Sequence, residues 1–197
     1  MAITTIIFDY YDTLVVSGIK KFLIENDFDW NGPEIVAINN LSDSAQITVP
    51  EYYERLSKIV NTPAETLESI NTKVVNQPLM DYIRTNLLGK YRLAILSNIG
   101  GATSITKRLS SDDIAMFEYI GMSYATGFLK PDERAYLDVT EHLGVSANEC
   151  VFIDDRPQYC AAADKLGMKT ILYTNFDGCK EKLNKILGQQ RAEGDNR

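Results

Sequence analysis

Five short runs of apolar, largely β-branched residues constrain the fold of this chain more than any other feature: ITTIIF (3–8), YRLAILS (91–97), YIGMSY (119–124), CVFID (150–154) and KTILY (169–173). Near-continuous apolar runs of this length suit strands covered on both faces. Between the later runs lie stretches with helical spacing. Residues 78–88 put Leu79, Tyr82, Ile83 and Leu87 on one face. Residues 132–143 open beside Pro131 and stop at Gly144, 158–166 stop at Gly167, and 179–187 form the last candidate helix. The polar tail 188–197 is expected to fray.

One stretch interrupts the alternation. From about Ser17 to Val75 no run reads as a buried strand. Helix-like pieces at 19–25, 34–39, 50–59 and 63–74 stand there instead, with Pro50 and Pro63 in first-turn positions. Strands alternating with helices predict an α/β fold, a Rossmann-like doubly wound parallel sheet. The interruption predicts a small helical cap domain over residues 16–76, inserted into a core formed by residues 1–15 and 77–197.

Composition narrows the function. A length of 197 residues buries a sizeable core without disulfide or metal staples. A net charge of −7 argues against a general nucleic-acid binder, which needs a basic face. No apolar run approaches the roughly 20 residues of a membrane span. The opening MAITTIIFDYYDT has no basic residue before Lys20, so no signal peptide is expected. Cys150, Cys160 and Cys179 are odd in number and lack metal-ligand spacing, which suits buried thiols in a reducing cytoplasm. With His142 the only histidine, Ser-His-Asp and Cys-His mechanisms are disfavoured. Nothing in the sequence specifies an oligomeric state.

Ligands of open α/β sheets bind outside the carboxyl ends of the strands. The first run ends at Asp9, followed by Tyr10, Tyr11, Asp12 and Thr13; the second ends at Ser97 and Asn98. Lys130 follows the third, and the fourth ends at Asp154 and Asp155. A carboxylate, a hydroxyl, a lysine and an acidic pair are thus expected on one rim.

In these motifs the chain resembles the haloacid dehalogenase superfamily. IIFDYYDTLV resembles its first motif, LAILSN its second, Lys130-Pro131-Asp132 its third, and VFIDDRPQYCAAADKLGMKTILY its fourth with the following helix and strand. The resemblance implies a phosphatase that acts on a small phosphorylated metabolite. Asp9 would be the nucleophile, forming an aspartyl-phosphate. Ser97, Asn98 and Lys130 would bind the phosphoryl group, with Lys130 neutralising charge. Mg²⁺ would sit on Asp9, the backbone carbonyl of Tyr11, Asp154 and Asp155, an all-oxygen set that suits this ion.

The chain departs from the pattern at Tyr11. The superfamily's phosphatases usually carry there a second Asp, which protonates the leaving oxygen and then activates water. A phenol can donate a proton but is a poor base near neutral pH. Tyrosine at this position resembles the 2-haloacid dehalogenases, in which Asp attacks carbon without a metal. Those enzymes receive the halide on a cap arginine, whereas Arg55 is the first arginine of this chain. They also lack an acidic pair like Asp154-Asp155. A dehalogenase-type hydrolase, or a weakly active or non-catalytic binding protein, are the alternatives. Lys20 and Lys21 read as a solvated helix face, Trp30 with Phe22 and Phe28 as a cap core, and Arg156 as either an ion-pair partner or a substrate ligand.

Overall fold

The structure, a computed structural model, describes residues 2–70, 74–99 and 103–194. Five strands, β1 (Thr5–Phe8), β2 (Arg92–Ser97), β3 (Tyr119–Met122), β4 (Cys150–Asp154) and β5 (Lys169–Leu172), form one sheet in the order β3-β2-β1-β4-β5. Every neighbouring pair is parallel. The expected doubly wound α/β sheet is present.

Period-two alternation divides the strand side chains between two layers. Ile6, Phe8, Leu93, Ile95, Val151 and Ile153 face one layer. There they meet α5 (Gln77–Tyr82), its continuation as a wider helical turn Ile83–Leu87, and α11 (Phe176–Gly194). Ile7, Ala94, Leu96, Cys150 and Phe152 face the other layer, against α9 (Glu133–Leu143) and α10 (Pro157–Lys165). Short helices α6 (Thr103–Thr106), α7 (Ser111–Ile114) and α8 (Ser123–Thr126) complete the connections around β3.

The 17–75 interruption holds α1 (Gly18–Glu25), α2 (Pro33–Asp43), α3 (Val49–Val60) and α4 (Ala64–Ile70). They bury a cluster of their own, including Ile19, Leu23, Ile35, Ile38, Tyr53, Leu56, Val60 and Leu67. Helix α3 opens with a Thr48/Glu51 capping box and Pro50 in its first turn. The chain leaves for these helices and returns from them side by side. Val15 bridges Val75, the Val16 N–H donates to the Val74 carbonyl at 2.8 Å, and the Asn76 N–H donates to the Leu14 carbonyl at 2.9 Å.

Local chemistry accounts for most boundaries. Asp132 caps α9, and Gly144 ends it at φ +61°, a conformation glycine adopts without strain. Several boundaries differ from the sequence reading, among them that of α2, expected over 34–39, which runs on to Asp43. The third strand stops at Met122 because Ser123 turns into α8, its hydroxyl taken by the Ile99 N–H and the Asp43 carbonyl. Helix α4 ends at Ile70, and 71–73 lie outside the described residues. Helix α11 runs on to Gly194, since the exposed Gly188 costs only about 1 kcal/mol within a helix and the residues after it are mostly good helix formers. Among the described residues no helix is long and apolar enough to cross a membrane, and the three cysteines are free and buried.

Candidate active site

The strand order reverses between β1 and β4, which opens a crevice at their carboxyl ends. Asp9 and Asp154 flank it. Phe8 pairs with Ile153, and the Asp9 N–H donates to the Ile153 carbonyl at 2.8 Å, so the two carboxylates emerge from adjacent chains. Alternation puts both on the face of Ile7 and Phe152. Lys130, in the loop before α9, reaches them from that face. Its Nζ lies 2.5 Å from Asp9 Oδ1 and 2.6 Å from Asp154 Oδ2. The ammonium also lies over the rings of Phe152 and Tyr159, at 5.4 and 5.0 Å from their centroids.

Charges buried this deeply persist only when paired. Asp154 is fully buried, and its Oδ1 also accepts the Arg156 N–H at 2.8 Å. Burial alone would lower the Lys130 pKa, but Asp154 and Asp9 outweigh it and hold the ammonium above its ordinary value. Burial pushes the Asp9 carboxyl up; Lys130 opposes this and the Asp154 charge adds to it, leaving a net rise.

Asn98 braces this triad. Its Oδ1 accepts the Lys130 N–H at 2.8 Å and its Nδ2 donates to the Lys130 carbonyl at 3.0 Å. The sequence reading placed Asn98 on the substrate. In the structure it lines the cavity while both ends of its amide bond the Lys130 backbone, with Nδ2 also 3.4 Å from the Tyr159 hydroxyl. Ser97, only 1% exposed, has a hydroxyl with no hydrogen-bond partner among the described residues. A buried hydroxyl left unpaired costs about 1–3 kcal/mol, so a polar ligand here recovers that penalty.

A second lysine enters from α1. Lys20 Nζ lies 2.9 Å from both Asp12 Oδ2 and Asp155 Oδ2. The solvated-face reading therefore fails for Lys20, whereas the exposed Lys21 makes only a long pair with Glu25. Asp12 holds φ +58°, and its carboxylate is turned to Lys20 and to the Ser17 N–H at 3.0 Å. Tyr11 lines the same site, and its hydroxyl accepts from Arg108 at 3.1 Å.

Asp9, Asp154 and Asp155 each offer a carboxylate oxygen, all within 4.8 Å of one another. Around the rim the four carboxylates of Asp9, Asp12, Asp154 and Asp155 form ion pairs with the ammonium groups of Lys20 and Lys130, and the Arg156 guanidinium adds attraction to Asp155. Oxygen donors with uncompensated negative charge fit a hard divalent cation.

Above this floor lies a cavity of about 140 Å³. Asp9, Tyr11, Ser97, Asn98, Lys130 and Asp155 line it on the sheet side; Trp30, Asn39, Asp43, Tyr52 and Tyr53 line it from the helices α1–α4 and their loops. Trp30 packs against the helical cluster and also faces the cavity, while Phe22 and Phe28 lie only at the cluster. Arg156 lines the cavity and donates to the Tyr159 hydroxyl at 3.2 Å. Asp43 is the residue that the sequence reading missed altogether. Burial pushes its carboxyl up to about 7 against the positive charges of Arg156 and Lys130.

A family model for haloacid dehalogenase-like hydrolases matches residues 6–173. The chain belongs to that family. Flavin mononucleotide hydrolase 1 of Arabidopsis thaliana is 33% identical over 78 residues, covering 38% of this chain and 32% of that protein. The chain spans about a third of the length of the curated relatives it matches first. Its fold is shared with a HAD-like family hydrolase from Porphyromonas gingivalis (TM-score 0.69, 22% identity, 95% and 98% of the two chains). It is also shared with a HAD-family enzyme from Bacteroides thetaiotaomicron in complex with magnesium and inorganic phosphate (TM-score 0.61, 20% identity, 88% and 95%).

Proposed function

We propose that this hydrolase is a Mg²⁺-dependent phosphatase that cleaves a small phosphorylated metabolite through an aspartyl-phosphate on Asp9. The observation that carries the reading is the cluster of three carboxylates, Asp9, Asp154 and Asp155, with an oxygen of each inside 4.8 Å. A metal-free dehalogenase has no use for such a cluster. The flavin mononucleotide hydrolase relative and the magnesium and phosphate complex of the Bacteroides enzyme support the same reading.

Residues 16–76 act as a cap over the strand ends of a core formed by 1–15 and 77–197. The Asp9 carboxylate attacks phosphorus, and a carboxyl oxygen–phosphorus bond forms as the ester bond to the leaving oxygen breaks. Lys130 stabilises the ionised nucleophile and the charge on the phosphoryl oxygens, and the Ser97 hydroxyl donates to one of them. Asn98 fixes the lysine through its backbone. Asp9, Asp154 and Asp155, with the Tyr11 carbonyl, would hold Mg²⁺, which would supply the charge neutralisation that an anionic nucleophile needs to approach an anionic phosphate. Three free, buried cysteines support work in the reducing cytoplasm.

The test is a substrate screen on purified protein: flavin mononucleotide, sugar phosphates, acyl phosphates and p-nitrophenyl phosphate, with and without Mg²⁺, and 2-chloropropionate beside them. Mg²⁺-dependent phosphate release is expected, abolished in Asp9→Asn while inorganic phosphate still binds. Metal-independent chloride release, or full phosphatase activity in Asp9→Asn, overturns the reading.

A further inference from the structure

A phosphatase of this kind needs a group that gives a proton to the leaving oxygen and takes one from the attacking water. Tyr11 stands at the usual position of that group, with its hydroxyl on Arg108. Asp12 is committed to Lys20 and the Ser17 N–H. Asp155 is bonded to Lys20, and Asp9 and Asp154 to Lys130.

One other carboxyl group lines the cavity among the described residues, that of Asp43. It ends α2, and its backbone is anchored to the sheet side: the Ser123 hydroxyl donates to the Asp43 carbonyl at 2.5 Å and accepts the Ile99 N–H at 2.9 Å. Its carboxyl makes no hydrogen bond among the described residues. The charged and titratable groups around it are Arg156 from the β4–α10 turn, Lys130 from the loop before α9, Tyr159 from α10 and Tyr52 from α3.

Phosphoryl transfer keeps the attacking and leaving oxygens roughly in line. With Asp9 attacking, the leaving oxygen points away from it into the cavity, whose lining includes Asn39, Ser42 and Asp43 of α2.

We propose that Asp43 is the general acid and base of this site, a role that rests on the phosphatase reading above. As the ester bond breaks, its electron pair stays on the leaving oxygen, which takes the Asp43 proton and departs as an alcohol. The Asp43 carboxylate then accepts a proton from water. The water oxygen bonds to phosphorus, the bond to Asp9 breaks with its pair returning to the carboxylate, and phosphate leaves with Asp43 protonated again. A carboxyl that titrates near 7 gives and takes protons in turn at neutral pH, unlike an ordinary aspartate.

Rapid-quench measurement of the Asp9 phosphoenzyme tests this in wild type, Asp43→Asn and Asp43→Glu. One substrate is glycerol phosphate, whose leaving group needs a proton; the other is p-nitrophenyl phosphate, whose leaving group does not. In Asp43→Asn, phosphorylation by glycerol phosphate is expected to fall by about 10² or more, the general acid range. p-Nitrophenyl phosphate should still phosphorylate Asp9, but the phosphoenzyme should accumulate because its hydrolysis has lost the base. Asp43→Glu should recover part of both steps. In wild type, phosphorylation by glycerol phosphate should decline as pH rises through about 7, since the acid must be protonated, and Asp43→Asn should lack that decline. Equal slowing of both substrates, or an unchanged pH profile in Asp43→Asn, overturns the assignment of Asp43 and leaves the phosphatase intact. Absence of any phosphoenzyme in wild type overturns the phosphatase reading and this proposal with it.

Discussion

Asn98 holds Lys130 by both ends of its amide, accepting the lysine N–H at 2.8 Å and donating to the lysine carbonyl at 3.0 Å. The consequence is kinetic. Asn98→Ala should let the Lys130 backbone shift, and a misplacement near 1 Å costs up to about 10²-fold in rate. We expect kcat to fall by about 10-fold or more with little change in KM. A substrate ligand would instead show mainly in KM, so steady-state kinetics on the best substrate of the screen separate the two roles.

Ser97 should behave in the opposite way. Its hydroxyl bonds nothing among the described residues, so Ser97→Ala removes a buried unpaired group and should raise the ligand-free stability by up to about 1–3 kcal/mol. Inorganic phosphate should bind about 10-fold more weakly, the loss of one hydrogen bond to a charged group. Thermal denaturation and calorimetric titration on the same preparation check both halves. A large drop in melting temperature would mean that the hydroxyl serves the fold.

Lys130→Met removes the one ammonium between Asp9 and Asp154. Breaking a buried charge pair typically costs about 3–5 kcal/mol. In a chain of this size each kcal/mol shifts the melting temperature by about 2–4 °C, so a fall near 10 °C is expected by calorimetry. Saturating Mg²⁺ should restore part of it, because a cation on the same carboxylates relieves their repulsion.

Lys20→Met tests the second lysine. Its ammonium, 2.9 Å from Asp155 Oδ2, opposes a metal ion on that carboxylate. Without it, Mg²⁺ should bind about 3- to 10-fold tighter, equivalent to roughly 1 kcal/mol of relieved repulsion between partly exposed charges. Calorimetric titration without substrate reads this directly. Unchanged or weaker affinity would show that Lys20 does not compete for the site.

The parts of the site that a reader of the sequence can find are those tied to the end of an apolar run. Asp9, Ser97 and Asp154 each close one, and Lys130 lies in a short motif between two others. Gly144 announces the end of α9 because its left-handed backbone is a local requirement. The rest depends on distance along the chain. Lys20 and Asp155 are 135 residues apart, and no periodicity links them. The partner of Asn98 is a backbone, which carries no signature in the sequence. Asp43 faces the cavity because α2 docks beside Ser123, a residue 80 positions away.

The stem at Val15–Val75 sets the latitude of everything it encloses. Because the departing and returning segments are hydrogen-bonded to each other, the sheet registers of β1 and β2 close without reference to the residues between. Helices there can lengthen, rotate or be exchanged as a block while Asp9, Lys130 and Asp154 keep their spacing. The inserted helices bring Trp30, Asn39, Asp43 and Tyr52 to the cavity, whereas Asp9, Lys130 and Asp154 stand on the sheet side. A graft between two neighbouring valines would then exchange one wall of the cavity, Lys20 and Asp43 with it, without rebuilding the strands.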